Sequence, residues 1–139
     1  MMKIHHIGIV AKDVPEALAA LGLSPDAVME SVFDPVQENM LHFVYLADND
    51  LWLEIVQPMS DASSTASFAR RVGCGLHHIG FASDDLKSSE ALHANRVGAF
   101  KLGQYQISVR SFGGDIRTLF IAMRGLIIEY VARGGRRDG

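Results

Sequence analysis

Four residues of metal-ligand type recur at matched places in this chain. The segment HHIGIV at residues 5–10 returns as HHIGFA at residues 77–82, so that His6 and His78 lie 72 positions apart. A second pattern, Leu-x-x-Glu-x-Val, occurs at residues 51–56 and again at 126–131, with Glu54 and Glu129 lying 75 positions apart. Two matches at nearly equal spacing indicate a duplicated unit. Two imidazoles and two carboxylates suit a first-row divalent ion, and four protein ligands leave open positions for chemistry.

The parity of the strands supports this reading. Residues two apart in a strand share a face, so Glu54 lies on the face of Trp52 and Val56 in an otherwise apolar segment. Glu129 has the same setting near the end of the chain. An ionised carboxylate is costly in such surroundings unless it meets a cation or a good hydrogen-bond donor. A shared metal ion explains both carboxylates.

Each candidate imidazole has a neighbour that could replace it. His5 precedes His6, and His77 precedes His78, and only one member of each pair faces a given side of its strand. Gly8 leaves space on the side of His6, as Gly80 does for His78, and this favours the second histidine of each pair. A single histidine on a sheet is more often structural than a ligand, so the alternative of inherited symmetry without metal binding stays open.

The elements needed to position these residues follow in one order in both copies. Each copy predicts a strand, a helix and three further strands, with Asp13 as the N-cap of the first helix and a second helix over about 85–97. We expect one domain over residues 1–139, with a first module at 3–58, a helical linker at 59–74 and a second module at 75–133. Residues 103–114 suggest a strand edge with a mobile loop, and residues 134–139 suggest a disordered tail.

Composition narrows the class of protein. The chain has 139 residues, 48% of them hydrophobic, which suffices for one domain with its own core. It has 13 basic and 16 acidic residues and a net charge of -3, without a long block of either sign, so we expect no nucleic-acid partner. Without a signal-like start or a long apolar run, we expect a cytoplasmic protein that does not bind membranes.

The repeated segments resemble the vicinal oxygen chelate superfamily, which includes glyoxalase I, extradiol dioxygenases and bleomycin resistance proteins. HIGIV, LEIVQP, GLHHIGF and GLIIEYV are most similar to the methylmalonyl-CoA epimerases in that superfamily. The resemblance covers nearly the whole chain. It implies an α+β fold of two tandem βαβββ modules that form an eight-stranded cup. It also implies that one divalent ion (Zn, Ni, Co, Mn or Fe) is held by His6, Glu54, His78 and Glu129.

A full set of two histidines and two acids is typical of the isomerases, epimerases and lyases of this superfamily. The resemblance therefore implies proton transfer next to a metal-polarised carbonyl, with Glu129 as ligand and base and Glu54 as the second carboxylate. The epimerases have a further glutamate on the preceding strand, where this chain aligns His42, which is either a second acid or base or a bystander.

The substrate class is left open by the residues. The alternatives are a lactoylglutathione lyase similar to glyoxalase I and a non-catalytic binding protein similar to the bleomycin resistance proteins. A third alternative is an iron-dependent dioxygenase. The dioxygenases of this superfamily use three protein ligands, so one of the two carboxylates would have no ligand role. The expected partners are a small molecule, such as a coenzyme A or glutathione thioester, and a second copy of the chain in a homodimer, by analogy with the superfamily.

Overall fold

The computed structural model of the chain describes residues 2–134. Within that range, residues 6–77 form one compact unit, and residues 2–5 together with 78–134 form another. Residues 1 and 135–139 lie outside the described residues, so most of the tail that we expected to be disordered is not covered. From residue 2 to residue 134, no helix combines the length and the apolar character that crossing a membrane requires.

Both copies of the repeat have the order strand, helix and three strands. The first copy consists of β1 (Lys3–Ala11), α1 (Val14–Ala20), β2 (Val28–Asp34), β3 (Asn39–Leu46) and β4 (Leu51–Pro58). The linker contains α2 (Ala66–Val72). The second copy consists of β5 (Cys74–Ala82), α3 (Leu86–Ala91), β6 (Ala99–Val109), β7 (Gly114–Met123) and β8 (Leu126–Arg133).

The strands form one mixed sheet. Its order is β2-β3-β4-β1-β5-β8-β7-β6. In each copy the first strand runs parallel to the last, as β1 does to β4 and β5 to β8, while the remaining pairs within a copy are antiparallel. The predicted α+β class with two tandem βαβββ modules is thereby confirmed. The domain bounds at 1–139 and the exact module limits stay predictions.

Helix α1 begins and ends where the sequence predicts. The Asp13 carboxylate accepts a hydrogen bond from the Glu16 backbone N–H at 3.0 Å, which satisfies one of the free donors of the first turn. Pro15 occupies that first turn, where its missing N–H costs nothing. Gly22 follows the helix with φ +74°, a conformation that glycine adopts without strain.

One face of each copy packs on a helix. In the first copy, Leu53 and Ile55 of β4 belong to the core cluster that contains Leu18 of α1. In the second copy, Tyr130 of β8 belongs to the cluster that contains Leu86 of α3. Because neighbours along a strand point to opposite faces, the glutamate that precedes Ile55 and the one that precedes Tyr130 both lie on the face away from the helix.

Two expectations about the second copy are wrong. Helix α3 ends at Ala91, not near residue 97, because residues 92–95 form turns and Gly98 takes φ +87°. Residues 103–109 belong to β6, a strand of 11 residues that pairs with β7 on both sides of a break in register between Lys101 and Gly103, so the strand expected here is present and the loop is shorter than expected. The turn is confined to a short 3-10 segment, Arg110–Phe112, followed by Gly113 at φ +88°.

Candidate metal centre

In the first copy, strand register places His6 and Glu54 on the same face. Glu54 is the direct partner of Gly8 on β1 and of Phe43 on β3. His6 is two residues before Gly8 and therefore shares its face. Gly8 has no side chain that would fill the space beside the Glu54 carboxylate. Phe43, on the other side of Glu54, is fully buried.

The second copy repeats this arrangement. Glu129 is the direct partner of Gly80 on β5 and of Phe120 on β7. His78 lies two residues before Gly80, and its Nε2 is 3.0 Å from Oε1 of Glu129. The ring of Phe120 meets the His78 ring edge-on, with 5.6 Å between the centroids. The imidazole is thus held between a carboxylate and an aromatic ring.

The structure brings the four predicted ligand residues together. One possible ligand atom from each of them lies within 4.8 Å of the others. All four side chains are buried, with 1% of His6, 7% of Glu54, 6% of His78 and 4% of Glu129 exposed. Two buried carboxylates this close to each other repel unless positive charge compensates them.

The donor set fits a divalent transition ion. Nitrogen and oxygen ligands about 2.1 Å from one ion are at most about 4.2 Å apart, so the observed spread is close to the one that a shared ion requires. The separation of 3.0 Å between His78 and Glu129 matches two neighbouring positions around such an ion. Their role as ligands stays a prediction, whereas a buried histidine and glutamate group that could hold a metal is present.

The competing histidines lie elsewhere. His5 has an edge-on contact with Phe112, at 4.5 Å between ring centroids. His77 has a similar contact with Phe68 of the linker helix, at 5.0 Å. Neither belongs to the metal-ligand group, and both are only partly buried. The second histidine of each pair is therefore the one placed at the candidate centre.

The structure does not place His42 beside the candidate metal centre. His42 is the direct partner of Ile55, which faces α1, and it therefore points away from the face of Glu54. Its Nδ1 is 2.8 Å from the Ser31 hydroxyl, and its Nε2 is 3.1 Å from Oε1 of Gln57. With both ring nitrogens in hydrogen bonds, His42 joins β2, β3 and β4 on the helix side. Its role as an acid or base stays a prediction.

The sequence alone did not place the aromatic residues beside the carboxylates, although Phe120 is one of the apolar residues that could line a pocket. Phe43 and Phe120 are repeat-equivalent, since they lie 77 positions apart and each is the direct strand partner of a glutamate. Their spacing, close to the 72 and 75 positions of the other pairs, is the signal that could have revealed them. Tyr105 on β6 was also missed, and it contacts Phe120 with 5.9 Å between ring centroids.

Comparison with solved structures supports the fold. A hypothetical protein from Bacillus halodurans C-125 is 20% identical, with a TM-score of 0.73 and 99% coverage of both chains. A variant methylmalonyl-CoA epimerase from Streptomyces coelicolor, in complex with 2-nitronate-propionyl-CoA, is 22% identical, with a TM-score of 0.73 and coverage of 97% of this chain and 99% of its own.

A methylmalonyl-CoA epimerase from Mycobacterium tuberculosis is 16% identical, with a TM-score of 0.75 and coverage of 96% of this chain and 89% of its own. At these identities, the likeness concerns the fold alone. No curated protein matches the sequence.

A family model gives the assignment. Residues 5–106 match the model described as the Glyoxalase/Bleomycin resistance protein/Dioxygenase superfamily. The matched range contains three of the four candidate ligands, nearly all of the first copy and the second copy as far as β6. The resemblance to the vicinal oxygen chelate superfamily is therefore confirmed, and the chain belongs to the glyoxalase, bleomycin resistance protein and dioxygenase superfamily.

Proposed function

We propose that this protein is a divalent-metal-dependent isomerase, epimerase or lyase that moves a proton next to a carbonyl group. The observation that carries the proposal is the buried group of two histidines and two glutamates, His6, Glu54, His78 and Glu129. A protein that only sequesters a small molecule has no need to keep two carboxylates out of water at this cost. The complete ligand set therefore favours an enzyme over a binding protein.

A divalent ion in this centre supplies a Lewis acid that makes the C–H bond beside a bound carbonyl more acidic. Glu129 is the residue that we assign to accept this proton and return it. Its Oε1 lies 3.0 Å from His78 Nε2, so both atoms are placed to bind the same ion, which would fix the orientation of the carboxylate. Phe120 is the strand neighbour of Glu129, and its ring packs edge-on against His78.

The proposed substrate is a thioester, and methylmalonyl-CoA is the first candidate. Solved neighbours of this fold include a methylmalonyl-CoA epimerase bound to methylmalonyl-CoA, at 21% identity and a TM-score of 0.74. An epimerase removes a proton from one side of a carbon and returns it to the other. In this chain, the carboxylates available for the two sides are Glu129 and Glu54.

One observation favours a second candidate, a lyase similar to glyoxalase I. Phe43 is the β3 neighbour of Glu54, while His42 faces the helix side, so the position beside Glu54 offers no additional acid or base. Moving a proton between adjacent carbons on one side of a substrate requires only one carboxylate. A glutathione hemithioacetal is the substrate that tests this alternative.

Proton exchange separates these possibilities. The protein is loaded with Zn²⁺, Ni²⁺, Co²⁺ or Mn²⁺ and incubated in D₂O with methylmalonyl-CoA, or with the hemithioacetal of methylglyoxal and glutathione. The epimerase predicts deuterium at C2 of the first probe by NMR, and the lyase predicts conversion of the second. Both activities must disappear in excess chelator and return with metal. Binding of either probe without any exchange or conversion would contradict the enzyme and support the sequestering protein.

A homodimer and a cytoplasmic location remain parts of this proposal. The homodimer follows by analogy with the superfamily. Sedimentation equilibrium of the full chain checks the first, since a monomer of 15.2 kDa at micromolar concentration would contradict it. Fractionation of the producing cells checks the second.

A further inference from the structure

The side chain of Tyr105 lies on the same face of the second copy as Glu129. Glu129 is the direct partner of Phe120, which is the direct partner of Gly103 on β6. These residues form a row across three strands. Tyr105 is two positions after Gly103 and is the direct partner of Thr118, so it shares the face of this row.

The ring of Tyr105 folds back over Gly103. A β-carbon added at Gly103 would lie 2.5 Å from the Tyr105 hydroxyl oxygen and 2.7 Å from its Cζ atom. Real β-carbons do not approach other atoms so closely, so this ring position requires glycine. The absence of a side chain at residue 103 therefore brings the Tyr105 hydroxyl into the row of Phe120 and Glu129.

A chain of ring contacts links Tyr105 to the candidate metal centre. Tyr105 meets Phe120 edge-on at 5.9 Å, and Phe120 meets His78 edge-on at 5.6 Å, both between ring centroids. Edge-to-face contacts of this kind hold rings in defined orientations. The tyrosine is only half-buried, so its hydroxyl is accessible from solvent.

The other two tyrosines use their hydroxyl groups within the protein. Tyr45 donates to Asp50 at 2.6 Å, and the Tyr130 hydroxyl is 2.6 Å from Nε2 of His93. Between residues 2 and 134, we find no hydrogen-bond partner for the hydroxyl of Tyr105. A phenol that is fixed by ring packing, open to solvent and without a partner in the described residues can exchange a water molecule for an acceptor on a ligand.

We propose that Tyr105 is a substrate-binding residue whose hydroxyl donates a hydrogen bond to an acceptor oxygen of the substrate, away from the oxygen that the metal binds. This inference rests on the proposed function. Gly103 makes the interaction possible by leaving room for the ring, and Phe120 fixes the ring's orientation. The Tyr105 hydroxyl, in the position that Gly103 allows, selects substrates that carry a second carbonyl or carboxylate oxygen over analogues that lack one.

Kinetics of metal-loaded Tyr105→Phe with methylmalonyl-CoA, and with the glutathione hemithioacetal, test the inference. The variant keeps the ring and loses the hydroxyl. We expect KM to rise about five- to twenty-fold for the substrate that the wild type converts, with kcat and metal content unchanged, because a hydrogen bond present in both the ground state and the transition state is lost. Gly103→Ala displaces the ring, and we expect it to raise KM at least as much.

Tyr130→Phe is the matched control. It removes a phenol hydroxyl from the helix side of the same copy, and we expect no change in KM. An unchanged KM for Tyr105→Phe would overturn the inference, as would an equal rise for Tyr130→Phe.

Calorimetric binding of the same probes to metal-loaded wild type and Tyr105→Phe separates the two proposals. A wild type that binds a probe more tightly than Tyr105→Phe, yet converts neither probe, contradicts the proposed function and supports the role of Tyr105. A wild type that converts a probe and binds it no more tightly than Tyr105→Phe contradicts only the role of Tyr105. Failure of the wild type to bind either probe contradicts both.

Discussion

The two copies of the repeat share a row of residues and differ at its outer end. In the first copy the row crosses β1, β4, β3 and β2 and consists of Gly8, Glu54, Phe43 and Glu30. In the second copy it crosses β5, β8, β7 and β6 and consists of Gly80, Glu129, Phe120 and Gly103. The glycine, the carboxylate and the aromatic ring are common, whereas the fourth position is acidic in one copy and empty in the other.

The outer strands share a further feature. Each has a break in register just before the fourth position, between Val28 and Glu30 on β2 and between Lys101 and Gly103 on β6. Such bulges redirect side chains and are often found near active sites. Duplication thus supplies the ligands as a symmetric set, and divergence at the outer strands makes the two sides chemically different. We infer that the common positions serve metal binding and that the differing positions serve substrate choice.

The two carboxylates test most sharply whether the symmetry between the two copies extends from the residues present to proton transfer. If Glu129 is the base, Glu129→Gln lowers turnover by a factor of about 10²–10⁴, the usual contribution of a positioned proton acceptor. Glu54→Gln keeps an oxygen donor for the metal, so we expect a loss of about tenfold if the protein is a lyase that uses Glu129 alone. An epimerase that uses both carboxylates should lose about as much in Glu54→Gln as in Glu129→Gln. Turnover of metal-saturated enzyme with the active probe gives both values. Equal losses in the two variants would mean that both carboxylates transfer protons.

The two helix-side cores are expected to be equivalent in energy. Ile55 and Leu119 are fully buried, one in each copy. Truncating either to alanine leaves a cavity, and we expect Ile55→Ala and Leu119→Ala each to lower the free energy of unfolding by about 2–5 kcal/mol. Leu126, which is 62% exposed, is the control, and Leu126→Ala should change little. Denaturant titrations measure all three, and a cost confined to one copy would contradict the equivalence.

His42 separates the helix side of the first copy from the metal side. We expect His42→Ala to lower the free energy of unfolding by about 1 kcal/mol, through the lost hydrogen bonds to Ser31 and Gln57. Metal content and kcat of the loaded enzyme should not change. A fall in kcat of a hundredfold, with the fold intact by circular dichroism, would support His42 as an acid or base.

The face on which His42 lies shows where prediction from sequence reached its limit. The repeat suffices to predict eight strands, their order within each copy and the four residues of the candidate metal centre, because duplicated patterns report equivalent positions. It does not predict the register of β3 against β4. A shift of one residue exchanges the faces of His42 and Phe43, and the register is set by the turn at Ala47–Asn49 and by Asp50 at φ 49°.

The second copy departs further from the pattern because pairing overrides local signals. Residues 103–114 contain three glycines, which favour a loop, yet from Gly103 to Val109 each residue of β6 is paired with a residue of β7. The predicted helix over 85–97 stops early, and His93 instead binds the Tyr130 hydroxyl. The length of β6 and the early end of α3 both depend on contacts between segments that are distant in the sequence. Local sequence patterns do not reveal such contacts.

The smallest expected effect concerns the cap of α3. The Ser88 hydroxyl donates to the Asp85 carboxylate at 2.8 Å, and the Lys87 N–H donates to it at 3.2 Å. These bonds hold the pKa of Asp85 below its ordinary value, with the Ser88 hydroxyl as the largest cause. The contribution of Asp85 to stability is therefore complete at neutral pH and is lost as the pH falls through the lowered pKa.

Ser88→Ala should move the Asp85 pKa toward the ordinary value in a carboxyl titration by NMR. An unchanged titration would show that the hydroxyl is not the main cause of the shift.

The most direct test of the account is the metal content of the purified protein, measured by mass spectrometry after incubation with Zn²⁺, Ni²⁺, Co²⁺ or Mn²⁺ and removal of excess ion. The wild type should retain about one ion per chain, His78→Ala and Glu54→Ala should lose most of it, and His5→Ala and His77→Ala should keep it. A wild type that stays metal-free with every ion, or a loss in His5→Ala equal to that in His78→Ala, would contradict the candidate centre.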